Sequence, residues 1–284
     1  MPFMLYRLVV CLGLAFAFLF AALAGAGTLI AFASFSAKPG GMANSGAVVG
    51  MCALAFLLYR YRARLFFNIK AGHLALLAEL VGGGKLPQGK QLIELAKQRA
   101  SQRFPQVADY LELSEAVQQV LYALPAKHCP YLSRIANKNL ANIFGELAGR
   151  FAQTGDQALL ALSFVAKEAT PWQAARTGLV LQLRHFDLLS KNRLYLLAFE
   201  YLGLLFAYLA MRYPVDSAVS LLPVDVGVWR TVFALIFAWS LKAAFLEPIA
   251  TNALAELYFN LAKQEVSASE AETDELMSYS EAFR

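Results

Sequence analysis

Charge is scarce in this chain of 284 residues: Asp, Glu, Lys and Arg make up 16% of it, against about 25% in an ordinary soluble domain. Cysteine is scarcer still. Cys11, Cys52 and Cys129 form no Cys-x-x-Cys pair and no even-numbered framework, which excludes a disulfide-stapled scaffold and a dithiol redox site. The three histidines, His73, His128 and His185, are scattered, and only Cys129 adjoins one of them, so no metal site is expected. No serine sits in a nucleophile elbow and no pair of carboxylates suits hydrolysis, so the sequence predicts no catalytic residues, no cofactor and no enzymatic activity. One look-alike is set aside. Residues 84–91, GKLPQGKQ, follow a phosphate-binding loop until Gln91, which stands where Ser or Thr must hold magnesium, and no strand precedes them. They read as a flexible turn.

What the chain has instead is hydrophobic residues, 58% of the total, many gathered into four long runs at about 7–35, 44–58, 194–211 and 228–249. A hydrocarbon core about 30 Å thick takes about 20 apolar helical residues to cross. The fold class is therefore all-α: an integral membrane bundle of about four transmembrane helices in two hairpins, with amphipathic or interfacial helices and a helical cytoplasmic segment. The first run is much longer than the roughly 7–15-residue core of a signal peptide, which favours a retained helix; the small residues at 21–27 keep cleavage open as the alternative. The expected divisions are a first hairpin at 1–59, a cytoplasmic or interfacial helical region at 60–193, a second hairpin at 194–250, and an amphipathic segment with an acidic tail at 251–284. Within that tail, residues 265–281 read as a solvated, partly disordered extension.

Orientation follows from the basic residues. Eighteen of the 25 Lys and Arg residues lie between Arg60 and Arg193, whereas the loop after the first run offers only Lys38 and the loop after the third only Arg212 and Arg230. Short basic segments resist translocation. The middle region and both termini are thus expected in the cytoplasm, in a multi-pass protein of the bacterial inner (plasma) membrane.

The middle region reads as several short helices and no sheet, punctuated by Pro87, Pro105, Pro125 and Pro130. Leu132, Ile135, Ala136, Ile143, Phe144, Leu147 and Phe151 recur at helical spacing, with Asn137, Lys138, Asn142, Glu146 and Arg150 on the other face. Thr170-Pro171-Trp172-Gln173 has the pattern of a helix start with a capping box, and the helix should run to about Leu189. Residues 72–81 (GHLALLAELV) and 156–167 (DQALLALSFVAK) are nearly all apolar yet too short to span. They suit interfacial or re-entrant helices, or alternatively helices that pack on one another. Lys90, Lys97, Arg99 and Arg103 would attract anionic lipid headgroups. The tetrapeptide LAEL recurs at 77–80 and 254–257, one copy after each hairpin, a faint sign of parallel duplication of the kind some transporters have.

Small residues predict how the spans pack. Gly13, Ala17, Ala21 and Gly25 form a stripe at four-residue spacing, and Gly46 with Gly50 repeats it in the second run. Such stripes let backbones approach closely where lipid supplies no hydrophobic drive, within one chain or across a homo-oligomer seam. The sharpest chemical feature is a candidate intramembrane polar site. Glu200 lies about six residues into the third run and Lys242 about seven from the end of the fourth, so both sit roughly 10 Å from the cytoplasmic edge at 1.5 Å per residue. Charges at that depth pair or face a wet cavity: a structural pair, a snorkelling Lys242 or a proton or cation relay. Glu247 follows closely, and Pro248, which removes a backbone donor and can break a helix, is expected to kink it. Tyr195, Tyr201, Tyr208, Tyr213, Trp229 and Trp239 read as interface anchors.

The segments at 72–90 (GHLALLAELVGGGKLPQGK), 169–181 (ATPWQAARTGLVL) and 242–250 (KAAFLEPIA), in this order among four spans, resemble a family of bacterial polytopic integral membrane proteins to which no activity attaches. More remotely, the succession of amphipathic helix, AARTGLVLQLRHFDLLSKN at 174–192, hairpin and terminal helix is similar to the C-terminal half of choline-transporter-like proteins. That family has about twice as many spans, so the resemblance implies transport only if two copies or a partner complete the bundle. It carries no ligand residues across. Two functional classes follow: the favoured one is a transporter or permease-like component for a small solute or lipid-related molecule, and the alternative is a non-catalytic membrane scaffold or accessory subunit of a membrane complex. The expected partners are the bilayer, its anionic headgroups, and a homo-oligomer or complex partner; nothing points to nucleic acid.

Overall fold

A computed structural model describes residues 2–33, 39–128, 137–166, 169–220, 227–264 and 269–283. The described residues are 91% helical, with no strand among them. The helices are α1 (Pro2–Ala33), α2 (Pro39–Val81), α3 (Lys90–Arg103), α4 (Val107–His128), α5 (Lys138–Gln153), α6 (Asp156–Val165), α7 (Pro171–Arg184), α8 (Phe186–Val219), α9 (Trp229–Leu241), α10 (Glu247–Gln264) and α11 (Glu270–Tyr279). A π-helical turn, Lys242–Leu246, joins α9 to α10, and a 3₁₀ turn, Glu281–Phe283, follows α11. Four stretches are long and apolar enough to cross a membrane: Phe3–Phe32, Gly40–Tyr61, Phe186–Val219 and Trp229–Gln264. Even the shortest, 22 residues, reaches about 33 Å at 1.5 Å per residue.

The chain divides into two compact units. The first comprises Met1–Phe66 and Glu200–Glu247, the second Phe67–Phe199 and Pro248–Arg284. The residues from Pro248 onward therefore belong with the middle of the chain, whereas the sequence reading sets 251–284 apart.

The first unit has little interior. Ala22, Ala47, Val215, Val219, Phe233 and Ala234 form its small core, while Phe20, Phe32, Phe56 and Phe206 are each about 70% exposed. An apolar exterior around so small a core suits lipid as the surrounding solvent. Backbones meet where glycine permits. A Cβ added to Gly50 would lie 2.0 Å from the carbonyl oxygen of Ala21, and one on Gly25 would lie 2.2 Å from that of Gly46. The expected stripe is shorter than its sequence pattern: a Cβ on Gly13 would meet nothing within 4 Å, and Ala17 is only half-buried. Four-residue spacing marks a face of a helix; it does not say how far along that face the neighbour extends.

The second unit is conventionally packed. Leu74 of α2, Leu113 and Leu121 of α4, Leu159 of α6, Leu179 of α7 and Tyr258 of α10 all lie in one core. Most of residues 71–78 and 156–164 are buried, with Leu77 and Gln157 half-buried and Leu80 and Val81 exposed, so these two apolar segments pack largely on other helices rather than forming separate interfacial or re-entrant pieces. Residues 72–81 are the end of the 43-residue helix α2. Gly178 lets α7 approach α6, since a Cβ there would lie 2.8 Å from Leu159. Buried Asp156 opens α6 and accepts hydrogen bonds from Ser114 Oγ (2.9 Å), Gln118 Nε2 (2.7 Å) and the backbone N–H of Gln157 (2.7 Å).

The capping box at Thr170 is present in both directions: the Gln173 N–H donates to Thr170 Oγ1 (3.2 Å) and the Thr170 N–H to Gln173 Oε1 (2.9 Å). The helix it starts ends at Arg184, short of Leu189, and α8 begins at Phe186. Pro125 does not divide two helices; it sits in the last turn of α4, where its missing N–H costs a single intrahelical bond. The C-terminal tail also differs from expectation. Residues 270–279 form α11, capped by Ser269, and Leu276 and Phe283 are buried in the core. Phe283 stacks edge-on against Trp172 at 5.5 Å. Arg184 grips both oxygens of Glu272, with Nη2 at 2.7 Å from Oε2, and holds that carboxyl well below the usual carboxylate range, at about 2. Two hydrophobic anchors and a bidentate pair thus order a segment whose composition alone reads as solvated.

Of the basic residues expected to meet headgroups, two are engaged within this unit. Arg99 pairs with Glu79 at 2.8 Å. Arg103 donates to the carbonyls of Ala166 and Ala169 at 3.0 and 2.7 Å, which closes the end of α6, and burial pushes its pKa down. Lys90 and Lys97 are exposed. The first part of the expected amphipathic helix, including Leu132, Ile135 and Ala136, lies outside the described residues, as do Lys38, Cys129 and Pro130.

Candidate functional site

Two features of the structure have the chemistry of a site, one in each unit. In the first unit, four ionisable side chains meet. Lys242 Nζ donates to Glu200 Oε2 and to Glu247 Oε1, each at 2.9 Å. Glu247 Oε2 in turn lies 3.5 Å from Arg7 Nη2, so one carboxylate bridges two cations. The side chains of Arg7, Lys242 and Glu200 are only 5–6% exposed, and that of Glu247 is 30% exposed. The rings of Tyr201 and Trp239, read from sequence as interface anchors, stand 5.5 and 5.3 Å from Lys242 Nζ and add cation–π attraction. Two cations and two anions sum to zero. A net-neutral group is the form in which charges can persist in a low-dielectric environment at a tolerable desolvation cost.

The backbone beneath this cluster follows from one residue. Pro248 has no N–H to give to the preceding turn. The helix continues through this point: it widens into the π turn just before the proline, and α-helix resumes at Glu247. In that turn the Glu247 N–H bonds to the Lys242 carbonyl, five residues back, rather than to Ala243. The Ala243 carbonyl is thereby left over from the helical ladder, and Arg7 Nε donates to it at 2.7 Å. Arg7 therefore satisfies both a carboxylate and a carbonyl that the proline sets free. Insertion of a side chain into a widened turn is how π segments commonly occur in long helices.

The structure brings Glu200, Lys242 and Glu247 together; the sequence reading sets only Glu200 opposite Lys242. Arg7 was missed because it reads as the polar edge of the first apolar run. A charge count was the available signal, since two acids and one lysine leave a buried negative charge that something must balance. Gly25, Ala21, Gly46 and Gly50 are brought together along α1 and α2, and Gly13 is not. His73 Nε2 lies 2.8 Å from Asn252 Oδ1. Among the described residues no three His, Cys, Asp or Glu side chains gather as a metal-holding group.

The second feature is a cavity of about 590 Å³ within the second unit, lined by residues of α4, α5, α7, α8 and α10. Its walls include Phe151, Leu189, Leu197 and Leu254, together with Gln182 and Tyr258, whose hydroxyl donates to Gln182 Oε1 at 2.5 Å. Arg193, 8% exposed, also lines it and donates from Nε to Thr154 Oγ1 at 3.0 Å. The volume falls within the range of ordinary small-molecule sites, about 300–1,000 Å³. No sequence pattern marks this cavity, because its lining comes from five helices spread between Pro125 and Tyr258.

No protein-family profile, no curated protein and no solved structure matches the chain.

Proposed function

We propose that the chain is a non-catalytic, multi-pass membrane protein, a scaffold or accessory subunit whose membrane helices hold the helical unit of residues 67–199 and 248–284 at the cytoplasmic face. The observation that carries this reading is the closed charge cluster. Lys242, Arg7, Glu200 and Glu247 neutralise one another, and the other buried polar side chain of that unit among the described residues, Ser240, bonds to its own helix at Ile236. A solute path would require a line of polar groups across the span. The first hairpin of the expected pair is supported by the order of contacts in α1 and α2: Ala21 meets Gly50 and Gly25 meets Gly46, so position rises along one helix as it falls along the other. The cytoplasmic placement rests on the basic residues between Arg60 and Arg193.

A permease-like component for a small solute or lipid-related molecule is the second reading, favoured by the depth of four ionisable groups in otherwise apolar helices. One assay separates the two. In liposomes carrying the purified protein and a trapped pH dye, an imposed potassium diffusion potential should drive no more proton entry than in empty liposomes. Proton entry that Glu200→Gln abolishes would overturn the scaffold reading. In a cysteine-free background, cysteines at Lys38 and Asp216 should label from outside the cell; labelling only from within would overturn the orientation.

A further inference from the structure

We infer that the cavity of the second unit binds an amphiphile with one acyl chain and an anionic head, a carboxylate or a phosphate. This goes beyond the scaffold reading and does not depend on it. Three observations point the same way. The first is the lining: Leu189, Leu197, Leu254 and Phe151 offer a hydrocarbon wall, and Leu189 and Leu254 are buried, as an acyl chain requires. The second is charge. Among the described lining residues Arg193 and Lys191 are basic and Asp187 is acidic, so the basic groups outnumber the acidic one. The buried guanidinium is the group best suited to a carboxylate or phosphate, which it can meet with two parallel bonds. The Tyr258 bond uses Gln182 Oε1, so the Gln182 amide nitrogen is a further donor at the same wall.

The third is position along the chain. Arg193 immediately precedes the apolar run 194–211, and Leu254 and Tyr258 come just after the run that ends near 249. Both flanks of the cavity therefore belong to stretches where a membrane span gives way to polar sequence, the depth at which lipid headgroups reside. Helix α5 extends the apolar approach. It packs on α4 through small residues, with Gly149 so close that a Cβ would lie 2.7 Å from the Tyr122 carbonyl. Its bulky residues, Leu140, Ile143, Phe144, Leu147 and Phe151, are instead 43–53% exposed. Such an inverted helix leaves an apolar stripe open, as interfacial helices do, and the stripe ends at Phe151 in the cavity wall.

The test uses the full chain in phosphatidylcholine nanodiscs with a photoactivatable diazirine fatty acid, the labelled peptides being read by mass spectrometry. Peptides around Phe151, Leu197 and Leu254 should label saturably, and excess oleate should protect them while oleyl alcohol should not. Labelling near lipid-facing Phe206 serves as the internal reference and should not saturate. Arg193→Gln should weaken labelling of the cavity about tenfold or more, and Arg193→Lys should restore part of it. Because Arg193 also holds Thr154, Ala148→Phe provides a second variant that fills the cavity from α5 and should abolish labelling in a protein of unchanged melting temperature. Exchanging part of the phosphatidylcholine for phosphatidylglycerol separates the sources. Competition by phosphatidylglycerol would identify a bilayer lipid as the occupant, and protection by oleate alone a free acid. Cavity labelling no greater than at Phe206, or unchanged in both Arg193→Gln and Ala148→Phe, would overturn the inference.

Discussion

Replacing Lys242 by Met removes one of two cations from the buried cluster and leaves Glu200, Glu247 and Arg7 with a net charge of −1. The Nζ to Glu200 distance of 2.9 Å corresponds to an attraction of about 6 kcal/mol at an effective dielectric of about 20. Desolvation of both groups already offsets part of that attraction in the native protein. The cost of stranding the acids is consequently about 3–5 kcal/mol, the range for breaking a buried pair from one side. Glu200→Gln alone should cost less, about 1–3 kcal/mol, because Lys242 keeps Glu247 and the amide still accepts a hydrogen bond. In the double variant, Arg7 and Glu247 remain as a neutral pair, so its loss should fall short of the sum by at least about 1 kcal/mol. Unfolding by added SDS in mixed micelles, followed by tryptophan fluorescence, measures each term. Losses that add within about 0.5 kcal/mol would refute the pairing.

Two other outcomes are expected. Gly50→Ala, whose new Cβ would lie 2.0 Å from the Ala21 carbonyl, should cost about 1–3 kcal/mol through separation of the two backbones, whereas Gly13→Ala, with nothing within 4 Å, should stay within about 0.5 kcal/mol of the native protein; equal losses in SDS titration would refute the assigned contact. The Glu272 carboxyl has a folded-state pKa of about 2 against an ordinary 4.5, so its pairing with Arg184 supports the docked tail at neutral pH, and that support is lost as pH falls from about 4.5 to about 2. For a partly solvated pair the effect is about 1 kcal/mol or less. Fluorescence of Trp172, against which Phe283 packs, should report release of the tail in that window, and Glu272→Gln should remove the transition; an unchanged pH profile in the variant would sink the assignment.

Much of the fold is legible without coordinates because it depends on local quantities. The length and apolarity of a run decide whether a helix can cross a bilayer, and four such helices are present. The capping box at Thr170 is contained in four consecutive residues. The meeting of Glu200 with Lys242 could be read by counting 1.5 Å per residue from the ends of two runs. Other features depend on groups that meet across long separations. Residues 72–81 and 156–164 look the same to a sequence pattern whether they face headgroups or other helices, and only the packed core of the second unit distinguishes the two. The tail from 270 to 283 reads as solvated by composition, yet Leu276, Phe283 and the Arg184–Glu272 pair hold it in place.

The amino-acid order by itself determined that this chain is helical, how much of it can enter a bilayer, and where charges stand along it, since these follow from hydrophobic free energy and helical rise summed over neighbouring residues. The tertiary structure alone decided that Arg7 balances the cluster, that Pro248 is accommodated by a π turn, and that five helices line a cavity at Arg193. Each of these is the satisfaction of a charge, a carbonyl or a volume by partners that no local sum can identify.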